Sequence, residues 1–159
     1  MPNWTYNNVL FVGKENQLKK LQTMLKSDDN EFDFNNIIPI PNELTDTVSG
    51  SENAKPQWQK DRSEDLKGRY GADNWYDWSI NNWGTKWNAI DTEVEQRDGT
   101  LIYRFDTAWD APRNIAEALL RMQKTILQDI NISWECVHED GDEEETIIDI
   151  ETKYDIKAS

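Results

Sequence analysis

T-E-V-E-Q-R-D-G-T-L-I-Y-R-F-D-T, residues 92 to 107, is the stretch that decides the fold. Two runs flank Arg97-Asp98-Gly99, and Asp-Gly between such runs signals a tight β-hairpin. In the second run Leu101, Tyr103 and Phe105 share one face, so this strand buries one side and exposes the other. Downstream, Asp110 reads as the cap of a helix with Pro112 in its first turn and a stripe of Ile115, Ala118, Leu119, Met122 and Ile126. Next, Ile130, Ile132, Trp134 and Cys136 alternate with Asn131, Ser133 and Glu135, as in a half-buried strand. An acidic turn over 138 to 145 leads to a last run. There Ile148, Ile150, Thr152, Tyr154 and Ile156 face one way, and Asp149, Glu151, Lys153 and Asp155 the other.

Upstream, Asn8 to Val12 is a short apolar run ending at Gly13 and reads as a buried strand. The period then changes. Leu18, Leu21, Met24 and Leu25 make 14 to 26 an amphipathic helix with a lysine-rich outer face. A long insertion, about 31 to 90, separates this helix from the hairpin. Pro39 and Pro41 exclude a helix interior or central strand, so Phe32, Phe34, Ile37, Ile38 and Ile40 pin an extended segment to the core. Residues 42 to 60 read as a polar loop with at most a short helical turn near Glu43, and 62 to 70 as a short helix closed by Gly71. Asp73 or Asn74 caps a second one that Gly84 ends. Without the insertion and the last strand the order is β-α-β-β-α-β, which packs as an antiparallel sheet with two helices on one face. The reading is an α+β fold in a single domain, 1 to 159, with an extra C-terminal strand.

The chain has 159 residues, a formal net charge of −14 and one cysteine. Such a charge repels phosphates and anionic lipid and favours basic partners, including the nucleic-acid-binding grooves of other proteins. One cysteine cannot form an internal disulfide, which fits a reducing cytoplasm. No apolar run approaches a membrane span.

Two regions stand out. Residues 73 to 88, D-N-W-Y-D-W-S-I-N-N-W-G-T-K-W-N, hold half of the eight tryptophans. Helical spacing makes Trp75, Trp78, Trp83 and Trp87 a packing plug, with Asn82, Thr85 and Asn88 satisfying backbone groups. Alternatively these indoles, with Asn82, Lys86 and Asn88, stack a base and hold a phosphate. The second region runs from 135 to 151. It carries Glu135, Glu139, Asp140, Asp142, Glu143, Glu144, Glu145, Asp149 and Glu151, with no lysine or arginine. It serves solubility alone, or it mimics a phosphate backbone. Carboxylates two apart on a strand sit about 7 Å apart, close to the phosphate repeat along one DNA strand.

Catalytic signals are weak. His138 with Glu139, Asp140 and Asp142 reads as a solvated acidic turn, because a zinc site wants several His or Cys. Cys136 lies on the apolar alternation and reads as a packed thiol. No phosphate-binding glycine loop or nucleophile elbow occurs.

Four motifs carry a resemblance. They are Trp4-Thr5-Tyr6-Asn7; Phe32-Asp33-Phe34-Asn35 with Ile37-Ile38-Pro39-Ile40-Pro41; Asn82-Trp83-Gly84-Thr85-Lys86-Trp87; and Phe105-Asp106-Thr107-Ala108-Trp109-Asp110-Ala111-Pro112. Together they resemble the YubB-type ferredoxin-like family of phages, prophages and plasmids over residues 3 to 138, with Thr5 where that family usually has cysteine. The resemblance implies a ferredoxin-like fold and a mobile-element origin, and brings no catalytic residues. After Trp134 the chain departs from the family in its acidic run. The expectation is a non-enzymatic accessory protein without cofactor in the cytoplasm of a bacterial host. It would use the acidic residues to inhibit a host protein with a basic surface, such as a CRISPR effector or another defence nuclease. The alternative is a small-molecule binder that sequesters a nucleotide signal in a Trp-lined pocket.

Overall fold

The structure, a computed structural model, describes residues 3–141 and 143–149. Its elements are β1 (Trp4–Val12), α1 (Glu15–Leu25), α2 (Asn42–Thr45), α3 (Gln57–Tyr70), α4 (Trp75–Asn82), β2 (Ile90–Arg97), β3 (Thr100–Ala108), α5 (Arg113–Met122), β4 (Asn131–His138) and β5 (Glu144–Ile148). The fold is α+β. All five strands form one antiparallel sheet in the order β2-β3-β1-β4-β5. The fifth strand at the edge sets this order apart from a simple four-stranded β-α-β-β-α-β sheet.

The sheet buries one face only. Val9 and Phe11 of β1, Leu101, Tyr103 and Phe105 of β3, and Ile132, Trp134 and Cys136 of β4 join one core with Leu18, Leu21 and Leu25 of α1 and Ile115 and Leu119 of α5. The hairpin closes through Asp98-Gly99 with Gly99 at φ +71°, the left-handed conformation that such a turn needs. Phe32, fully buried, is the hub: its ring centroid lies 4.9 Å from Phe105, 5.1 Å from Tyr103, 5.9 Å from Phe34 and 6.1 Å from Trp134.

Hydrogen bonds close the insertion at its neck. Asn30 donates to the Ala89 carbonyl (2.8 Å), and Asn88 donates to Asp33 (2.7 Å) while its Oδ1 accepts from the Phe34 and Ala89 amides (both 2.9 Å). Where the insertion leaves α4, Gly84 sits at φ +89°. A Cβ there would stand 3.0 Å from the Arg113 backbone nitrogen, so both conformation and space call for glycine.

Several boundaries differ from the sequence reading. β1 begins at Trp4 rather than Asn8, because its polar inward residues are satisfied internally. Asn7 is buried, donates to the Thr107 hydroxyl (2.9 Å) and accepts from Trp134 Nε1 (3.1 Å). α3 starts at Gln57 behind Pro56, not at Arg62. Periodicity finds the helix over 62 to 70 but misses its first turn, where the one buried residue is the polar Gln59. Gln59 replaces an apolar anchor by bonding both backbone groups of Val48 and the Asp73 carbonyl. α5 stops at Met122, so Ile126 leaves the stripe and is 67% exposed. Pro112, not Asp110, holds the N-cap position, and Asp110 instead grips Arg113. In β5 a register shift opposite Trp134 and Glu135 buries both Ile147 and Ile148, breaking the strict alternation. Ile150, Glu151, Thr152, Tyr154 and Ile156 lie outside the described residues.

Truncating the hub tests this core. Phe32→Ala is expected to lower the unfolding free energy by about 3–5 kcal/mol. Urea denaturation measures it, and a loss below about 1 kcal/mol, the size of a typical surface effect or less, would contradict the packing described.

Candidate functional site

Since the helices pack on one face of the sheet, the other face meets solvent. Strand register places its side chains in rows. One row reads Glu93, Arg104, Asn8, Glu135, Thr146; the next reads Ile90, Asp106, Tyr6, Val137, Glu144; a third reads Glu95, Ile102, Leu10, Ser133. Tyr6 stands 45% exposed in the middle. Between β2 and the centre lies a shallow depression of about 430 Å³ lined by Tyr6, Asn8, Asp91, Glu93, Arg104, Asp106 and Val137. The two arginines of this face turn to one acid: Arg97 bonds Glu95 at 3.0 Å, and Arg104 lies 3.8 Å from it. No ion pair of the described residues engages Asp91, Glu93, Asp106, Glu135 or Glu144. Burial, and then the negative charges of Asp91 and Glu93, raise the Asp106 carboxyl above its ordinary range.

The acidic residues singled out in the C-terminal run do not form one patch. Glu135 and Glu144 reach the helix-free face, and Glu143 is exposed in the turn before β5. Glu139 accepts from the Trp4 amide (2.7 Å), and Asp140 accepts from Asn3 (3.5 Å), so both staple the turn to the start of β1. Asp149 is half-buried just past β5. Asp142 and Glu151 lie outside the described residues.

Glu145 belongs to the opposite side. It pairs in register with Cys136 and takes a two-pronged grip from Arg113, at 2.7 and 2.9 Å. His138 donates from Nε2 to the same carboxylate (3.0 Å), and its Nδ1 lies 3.1 Å from the Thr5 hydroxyl. Hydrogen bonding from Arg113 holds the Glu145 carboxyl down at about 2, against an ordinary 4.5. Burial, helped by the Glu145 charge, pushes the Cys136 thiol up to about 12. Candidate ligand atoms of Cys136, His138 and Glu145 fall within 4.8 Å of one another. A cation would have to displace the guanidinium from Glu145 and ionise a buried thiol, so this cluster reads as a structural ion pair.

The indole region splits in two. Trp78 and Trp83 are buried core residues packed edge to face at 5.4 Å, and Trp83 Nε1 donates to the Ile38 carbonyl (2.8 Å). Asn82 donates to the Trp78 carbonyl, and Asn88 is committed to the neck through both its Nδ2 and its Oδ1. Trp75 and Trp87 are half-buried. With Ile40, Thr45, Ser79, Trp83 and Lys86 they line a cleft of about 230 Å³. Lys86 Nζ lies over three rings, 4.4 Å from the centroid of Trp87, 5.2 Å from Trp109 and 5.5 Å from Tyr76.

Reading the sequence alone missed Asp91, Glu93, Glu95 and Asp106 on the helix-free face, and Tyr76, Ser79 and Trp109 beside the indoles. The hairpin register would have placed the first set: once Val94 opposes Tyr103 on the buried side, Glu93 and Glu95 must face out. No comparable local signal brings Trp109 to Lys86. Comparison with protein families, with curated proteins and with solved structures finds no match for this chain. Among the described residues no helix is long and apolar enough to cross a membrane.

The Glu145 carboxyl is depressed in the folded state. Its stabilising contribution is therefore complete above about pH 4.5 and is lost as pH falls toward 2. The stability advantage of the wild type over Glu145→Gln should shrink across that window. Urea midpoints of both proteins at stepped pH measure it, and a constant difference would contradict the Arg113 pairing.

Proposed function

We propose that this protein is a non-enzymatic inhibitor that occupies a basic groove of another protein with the helix-free face of its sheet. The observation that carries this reading is the concentration on one face of Asp91, Glu93, Asp106, Glu135 and Glu144, from four strands, around an exposed tyrosine. Glu93 and Glu135 lie three strand spacings apart, about 14 Å. Together with a net charge of −14 they make a surface that attracts cations and repels phosphates. Tyrosine is also among the residues enriched at contact centres. The partner's chemistry follows from the charge: lysines and arginines arranged to bind nucleic acid, as in a CRISPR effector or another defence nuclease of a bacterial host.

The finer fold reading belongs to the same proposal. Without β5 the strand order is β2-β3-β1-β4, with α1 after β1 and α5 after β3, which supports a ferredoxin-like core extended at one edge. The motif resemblance to the YubB-type family supports a phage or plasmid origin, and with it action in the host cytoplasm. Relative to the sequence reading, the candidate contact set moves from the C-terminal run to the whole helix-free face. Glu145 is engaged by Arg113, and Glu139 and Asp140 by the first strand.

Immobilised protein should retain a nucleic-acid-binding protein from bacterial lysate at low salt and release it as salt rises. Duplex DNA should compete. Each of Glu93→Lys, Glu135→Lys and Glu144→Lys should weaken capture by about fivefold or more, the worth of an exposed ion pair of about 1 kcal/mol. All three residues face solvent and lack ion pairs, so circular dichroism should stay unchanged. Capture indifferent to salt and to all three of these reversals would overturn the reading.

A further inference from the structure

We propose that the cleft between α4 and the segment from Asn35 to Thr45 binds a small planar anion of mononucleotide size. This site is separate from the acidic face and does not rest on the inhibitor reading.

Charge is the first argument. In a chain of net charge −14, the cleft is lined by Asn35, Ile40, Thr45, Trp75, Ser79, Trp83, Lys86, Trp87 and Asn88, so its one charged side chain is a lysine. The depressions at 26–31 and on the sheet face are both lined by several carboxylates. Lys86 contacts ring faces and takes part in no ion pair of the described residues. An ammonium held over indoles keeps its charge while giving up part of its water, and so can bond an incoming anion.

Shape is the second. Three indoles wall the cleft, and a flat ring system gains most from such walls because every base offers a face that stacks on an aromatic side chain. A volume of about 230 Å³ admits one such ring and leaves the remainder outside.

The third argument is an unmet polar atom. Ser79 is 1% exposed and lines the cleft, yet its hydroxyl has no hydrogen-bond partner among the described residues. Buried hydroxyls are nearly always satisfied, so this one marks where a polar ring edge would bond. Trp109 stands beside the cleft, outside its lining. It is 43% exposed at φ +72°, a strained conformation for a bulky residue. The strained backbone is held by the Trp109 amide donating to the Asn3 carbonyl (2.7 Å), and the ring lies against Tyr76 and Lys86 at the surface.

The test is a titration of the full chain with AMP, GMP, CMP and UMP, following the indole N–H signals of Trp75 and Trp87 by NMR. Adenosine, inorganic phosphate and a short single-stranded oligonucleotide are separate arms. At least one mononucleotide should shift both signals saturably, with adenosine weaker and phosphate alone leaving them in place. Lys86→Gln should weaken that affinity roughly tenfold, the loss of one charge-assisted hydrogen bond, and Ser79→Ala several-fold. Both variants replace residues outside the packed core contacts of Phe32, so their unfolding midpoints should stay near that of the wild type. No response to any of the four mononucleotides overturns the proposal. So does a response that survives Lys86→Gln unchanged, one reproduced by phosphate alone, or tighter binding of the oligonucleotide.

Discussion

The ring of Phe32 ties the two parts of this molecule together. It enters from the long insertion and lands on the buried face of the sheet, touching Tyr103 and Phe105 of β3 and Trp134 of β4. Phe34 extends the contact to Trp83, and Trp83 to Trp78, so a chain of edge-to-face rings runs from the sheet into α4. Such contacts add to apolar burial only while the rings keep their relative geometry. The neck bonds of Asn30 and Asn88 fix that geometry by holding the two ends of the insertion together. The rest of the insertion adds Phe34, Leu44, Leu66, Trp78 and Trp83 to the same core, while α3 itself buries only Gln59 and Leu66.

Covering one side of an antiparallel sheet decides where its charge goes. Every inward position on β1, β3 and β4 must pack, and every outward position may carry a charge. Carboxylates distant in sequence, Glu93 on β2 and Glu135 on β4, thereby come to one row. Glu145 is the exception. Its strand joins the sheet at the edge in a register that points it to the covered side, where Arg113 supplies the counter-charge for a half-buried carboxylate.

The insertion shows a second consequence of packing. Of the four tryptophans in the continuous stretch 73–88, Trp78 and Trp83 are buried in the core, and Trp75 and Trp87 are half-buried at a cleft that Trp83 also lines. Gly84 allows the chain to pass within contact of the start of α5, and that close approach leads Thr85 to bond the Ala108 carbonyl. The same junction carries the strained Trp109. Aromatic groups from α4, the 83–88 turn and the residue just past β3 thus meet around one lysine, and Trp4 of β1 lies against Trp87.

By itself the sequence determined the α+β class, the Asp98-Gly99 hairpin, the helix over 15 to 25 and the inward faces of β3 and β4. Each of these rests on local periodicity or turn chemistry, which need no partner to be legible. It did not reveal the polar half of β1 or the true start of α3. Asn7 and Gln59 are buried by hydrogen bonds to residues far along the chain, and no local pattern announces a satisfied polar group. The candidate sites divide the same way. The net negative charge and the abundance of indoles were plain from composition. Only strand register and the docking of the insertion decided which carboxylates share a face and which rings surround Lys86, because both depend on contacts between segments tens of residues apart.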